Sequence, residues 1–259
     1  MSARLLLILC LGRCLCLSAH AHDFWVNPDS FVVSVGASTA LSMQVGHGDA
    51  RRTSMIPSRR IQRFAAWTPA GEVIDLRNDG RLAPAEPGLH VLVLETDADA
   101  LSHLPADRFD AYVREEGLWP AAAARGRDVF ERYRRVAKAL VQAGAPGEGS
   151  QDLATKRLGL PLEIVLATPP SDGGMLTAQV IHQSRPLARA LVKLTDLDHD
   201  AQPVAAQVTD GEGLVRLRRP PPGHWLLNVV WTTPLDGAEG IDFDTIFSSL
   251  SFAVAAPGP

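Results

Sequence analysis

The sequence predicts a mainly β protein, built from two immunoglobulin-like sandwich domains with a helical insertion in the first. Three observations lead there. Short β-branched and apolar runs recur along the chain, and clusters of Gly, Pro, Asn and Asp separate them. The 19 prolines and 21 glycines in 259 residues favour many short elements over a few long ones. The spacing of the runs suits a sandwich.

The chain opens with Arg4, an apolar run from Leu5 to Leu17, and small residues at Ala19 and Ala21, an A-x-A-type secretory signal. The run is broken by Arg13 and falls short of the ~20 apolar residues of a membrane span. Cleavage after Ala21 is expected, giving a periplasmic protein without stable membrane insertion whose first residue is His22. Cys10, Cys14 and Cys16 leave with the leader, so the mature chain has neither disulfides nor thiolate ligands. It keeps 23 basic residues against 29 acidic ones, a net charge of −6. That balance argues against nucleic acid or an anionic membrane as a partner.

In the first domain, residues 22–168, strands are expected at Phe31–Val35, Leu41–Val45, Ile61–Trp67 and Gly88–Leu94. Turns are expected at Asn27–Ser30, Thr68–Gly71 and Glu86–Gly88. Residues 102–145 read as the helical insertion. Phe109, Tyr112 and Val113 share one face before Gly117, and a second helix after Trp119-Pro120 aligns Val129, Tyr133, Val136 and Leu140. Arg127, Arg132, Arg134, Arg135 and Lys138 on it read as a solvated basic face. Residues 143–155 read as a flexible connection, and Leu160–Leu166 returns to strand.

The second domain, residues 169–259, follows the break at Thr168–Gly174. Strands are expected at Leu176–Ile181, Ala190–Leu194, His224–Trp231 and Ser249–Val254, with a hairpin at Thr209–Gly213. Trp225, Leu227, Val229 and Trp231 share a face, the expected core face.

The sequence holds no G-x-S-x-G, H-E-x-x-H or phosphate-binding loop, so hydrolase and nucleotide chemistry lack support and no enzymatic activity is expected. Asp196, Asp198 and Asp200 resemble the start of a calcium loop, but Ala201 and Gln207 stand where the loop needs Gly and Glu. The metal chemistry that remains is histidine chemistry. An amino-terminal His22 offers an α-amine and an imidazole as one chelate. A strand running out from it and another returning to Val45-Gly46-His47-Gly48 would bring His47 near as a third nitrogen. Such a donor set suits Ni²⁺, Co²⁺ or Cu²⁺ over Mg²⁺ or Ca²⁺. Met43 reads as a core residue with the role of a soft extra ligand left open, His90 as a core or edge residue, and His103, His182 and His224 as solvent-facing residues.

Several stretches carry a resemblance: His20–Trp25, Val45–Gly48, Glu115–Leu118, Arg132-Tyr133 with Ala137-Lys138, Leu158–Ile164 and Ser248–Phe252. They are similar to a NikM-like periplasmic domain family, described as an accessory component of a nickel-transport complex. The resemblance implies nickel or cobalt handling beside an envelope metal transporter. It also implies a second domain similar to carboxypeptidase-regulatory or transthyretin-like sandwiches. The chain departs from that family's pattern at Trp231-Thr232, where relatives carry a His-Met pair, so the expected ligands are His22 and His47 alone. Two other readings stay open: a metal-free envelope interaction module, and a copper-dependent oxidase using the same amine and imidazole.

Overall fold

The computed structural model describes residues 23–46, 50–145, 147–170, 174–199, 202–237 and 240–256. The first strands are β1 Phe24–Pro28, β2 Val32–Val33, β3 Thr39–Val45, β4 Arg52–Thr53, β5 Ile61–Trp67, β6 Val73–Asp75, β7 Arg81–Leu82, β8 Gly88–Thr96 and β9 Ala100–Leu104. Helix α1, Ala106–Glu115, precedes β10, Val129–Ala143. Then come β11 Leu162–Leu166, β12 Met175–His182, β13 Arg185–Pro186, β14 Leu191–Asp196, β15 Ala205–Val208, β16 Leu214–Arg218, β17 Gly223–Pro234 and β18 Phe243–Val254. The protein is mainly β, as its turn-punctuated sequence requires.

A ten-stranded sheet in the order β15-β14-β17-β18-β10-β8-β5-β6, with β2 and β9 also paired to β10, forms the spine. Its central seam is parallel: β10 pairs with β18 from Glu131↔Phe243 to Ala139↔Ser251. Four strands, β11, β12, β13 and β16, cover one face of this sheet, and β1, β3, β4 and β7 cover the other. The two sandwiches therefore share the central sheet. β11, which lies before residue 168, pairs with β12 after it. One hydrophobic core joins Val91 and Leu140 to Ile164, Leu227 and Leu250. Trp225, Leu227, Val229 and Trp231 all face that core, as their alternation predicts.

The expected second helix is not formed. Val129–Ala143 is a fifteen-residue strand, and within 102–145 the helix among the described residues is α1 with a short 3₁₀ turn at Trp119–Ala124. The apolar residues Val129, Tyr133, Val136 and Leu140 satisfy a helical period. From Val136 onward, however, every residue is buried, because both sandwich layers press on this strand. A strand covered on both faces shows no alternation, so its pattern mimics a buried helix.

The solvated basic face is corrected with it. Successive side chains of a strand point to opposite faces, which splits the stripe. Lys138 is 2% exposed, and its Nζ donates to Glu163 Oε1 at 3.0 Å. Arg135 stacks on Phe24 and Tyr133, at 5.0 and 5.3 Å. The expected flexible connection also packs: a 3₁₀ turn at Asp152–Thr155 buries Leu153 and Ala154.

Beneath α1 the buried Glu131 accepts a 2.6 Å hydrogen bond from the Thr245 hydroxyl. Burial raises this carboxyl from its ordinary 4.5 to about 7. The folded state thus holds a proton that the unfolded chain releases, and stability falls as pH rises from about 4.5 through 7. Glu131→Gln removes that penalty. At pH 8 it is expected to stabilise the fold by roughly 2–3 kcal/mol, and at pH 4 by little, read from denaturant midpoints.

Candidate functional site

The site is built around the start of β1. β1 and β3 are antiparallel in the register Phe24↔Val45, and beyond it the Gly46 N–H donates to the Asp23 carbonyl at 2.9 Å. Gly46 adopts φ +87, and a Cβ there would lie 2.5 Å from the Ala50 carbonyl oxygen. Only glycine fits this close approach. His22 and His47, the predicted ligands, lie outside the described residues. Each is the immediate chain neighbour of the Asp23–Gly46 pair.

β1 is tied down onto the central sheet. Ser251 Oγ donates to the Val26 carbonyl at 2.7 Å, and Asn228 Nδ2 donates to Asp23 Oδ1 at 2.8 Å. Asp23 is 7% exposed. Asn228 stands opposite Lys193 on β14 and opposite Ser249 on β18, so these side chains share the face under β1. Lys193 Nζ reaches Glu116 Oε1 at 2.6 Å, and Glu116, the residue that ends α1, is 2% exposed. Burial pushes the Glu116 carboxyl up, the Lys193 ammonium pulls it back, and the Asp23 charge adds to the rise.

Several atoms of this interior have no hydrogen-bond partner among the described residues: Glu116 Oε2, Asn228 Oδ1, Ser249 Oγ and Thr195 Oγ1. Two carboxylates and an amide oxygen beside the Lys193 ammonium make the region oxygen-rich. Such a setting stabilises a neighbouring cation.

Sequence reasoning placed its candidate ligands beside the start of β1 and did not single out Asp23, Glu116, Lys193 and Asn228. Asp23 and Glu116 do sit inside two of the stretches quoted above for the family resemblance. Two more such stretches meet through Lys138 and Glu163. Of the remaining histidines, His90 is fully buried, with Nδ1 3.2 Å from the Gly88 carbonyl oxygen, and burial lowers its pKa. His103 and His224 lie at the surface beside Asp128 and Asp198. His182, expected to face solvent, is instead half-buried at the end of β12, and burial lowers its pKa. Met43 is partly buried against the core that holds Phe24, Val26 and Val45. Among the described residues no group of three or more His, Cys, Asp or Glu side chains is placed to hold a metal ion. No helix among them is long and apolar enough to cross a membrane.

A mainly β chain of packed sheets is the class that the fold defines. The comparisons narrow it. Residues 19–233 match the model of a domain of unknown function, DUF4198, and the chain belongs to that family. No curated protein matches it. Among solved structures, the D0-D1 domain of Intimin is similar at 12% identity, covering 89% of this chain and 97% of that one, with a TM-score of 0.20. That score is too low to equate the two arrangements of strands.

Proposed function

We propose that this protein is a periplasmic metal-binding accessory protein that buffers or delivers Ni²⁺ or Co²⁺, with Cu²⁺ as a further candidate, for an envelope metal transporter. In this reading the mature α-amine and imidazole of His22 chelate the ion, and His47 supplies a third nitrogen. The observation that carries the proposal is the hydrogen bond between Gly46 and Asp23, which joins the chain neighbours of both histidines. The buried carboxylates of Asp23 and Glu116 support it by favouring positive charge at that end of the strand. The ion is cargo, and the protein's residues hold it without transforming it.

Coordination needs a neutral α-amine and a neutral imidazole, so affinity is expected to fall as pH drops below ~8, the reference range of an α-amine, and more steeply below ~6.5, the reference pKa of histidine. His47→Ala is expected to weaken Ni²⁺ binding at least tenfold at pH 7.5 in calorimetric titration. An unchanged affinity in that variant would remove His47 from the site.

A further inference from the structure

We propose a second site, for a small oxyanion of the carboxylate or phosphate class, at the corner where the covering sheet ends above β10 and β18. It lies on the opposite face of the central sheet from Asp23 and does not rest on the metal reading.

The corner follows from strand geometry. Arg132 and Arg134 are two residues apart on β10, so both project to the face that carries Val136 and Leu140. Val136 is in register with Ser248, whose Oγ donates to the Leu162 carbonyl at 2.9 Å, and Leu162 pairs with His182, the last residue of β12. Cover by the smaller sheet therefore stops just before Arg134. The two guanidiniums emerge half-buried at its rim, with side chains 37% and 28% exposed.

Their charge is incompletely matched. Asp244, opposite Arg132 in register, is the carboxylate they share, and its Oδ2 lies 3.6 Å from Arg132 and 3.8 Å from Arg134. Both separations exceed a hydrogen bond. The Nε atoms of both arginines and Oδ1 of Asp244 are buried and have no partner among the described residues. A further cation lies along the tryptophan wall, over Trp119. Arg189 is held at φ +63, which is rare outside glycine, and its guanidinium lies 4.2 Å above the Trp119 ring. Trp119 in turn meets Trp231 edge-on at 5.8 Å. The His182 ring, 6.4 Å from that of Trp231, adds a polar ring nitrogen to the wall.

Two arginines sharing one aspartate make a positive corner on a chain whose overall charge is negative. Guanidinium forks suit the paired oxygens of a carboxylate or phosphate. Asp244 acts here as a built-in competitor for the same donors.

The test is tryptophan fluorescence of the mature protein titrated with inorganic phosphate and, separately, malonate, against sodium chloride at equal ionic strength. A saturable change with phosphate or malonate and none with chloride is expected, and the responding anion identifies the source chemistry. Arg134→Gln should weaken that binding at least tenfold. Asp244→Asn should strengthen it several-fold, an opposite shift that general damage to the fold would not produce. An identical response to chloride, no response to any anion, or weaker binding in Asp244→Asn would overturn the proposal.

Discussion

Glu163→Ala is expected to lower the unfolding free energy by about 3–5 kcal/mol, because it strands a buried cation. Glu163 lies on β11 and is 1% exposed, while Lys138 lies on the central strand β10 and is 2% exposed. The carboxylate accepts Lys138 Nζ at 3.0 Å and the backbone N–H groups of Leu158, Gly159 and Leu160 at 2.9 to 3.3 Å. Alanine would leave Lys138 Nζ and the Leu160 N–H without an acceptor in the buried interior. Burial already lowers the Lys138 pKa, and removing its counter-charge pushes it further down. The pair joins the central sheet to the layer above it, so both sandwiches should weaken together in one denaturant transition. Lys138→Met combined with Glu163→Gln removes both charges and should cost markedly less than the single alanine. Equal losses in the two variants would show that the ion pair is not what the site depends on.

What the sequence revealed follows from which residues act locally. Strands at Ile61–Trp67 and Gly88–Leu94 were legible because turn residues such as Pro and Gly lie at their ends and apolar or β-branched residues fill them. The face formed by Trp225, Leu227, Val229 and Trp231 was legible from alternation alone. β10 was not, since its signal depends on two layers contributed by distant parts of the chain. Its basic residues misled for the same reason: only the fold sends Lys138 into the core, Arg135 under Phe24, and Arg132 and Arg134 to the opposite rim. At the candidate site, the first strand and the glycine before His47 were visible as motifs. The partners of Asp23 were not, because Asn228 lies 205 residues away, and only the register of β14, β17 and β18 brings it beside Lys193 and Ser249.

The second large effect concerns the amino terminus. An α-amine and imidazole on one residue form a chelate only when that residue is the first of the chain, so a single extra residue converts the amine to an amide and removes a ligand. With His22 preceded by methionine, Ni²⁺ affinity is expected to fall at least a hundredfold, equivalent to about 2.7 kcal/mol or more. The fold should be unaffected, because Asn228 and Ser251 anchor β1 from Asp23 onward. Thermal unfolding of the two metal-free proteins should coincide. The decisive measurement is calorimetric titration of Ni²⁺, Co²⁺, Cu²⁺ and Zn²⁺ into protein shown by mass spectrometry to begin at His22, alongside the same protein carrying one additional methionine. One-to-one binding seen only with the authentic terminus is the result predicted here, and equal binding in both, or binding in neither, would contradict it.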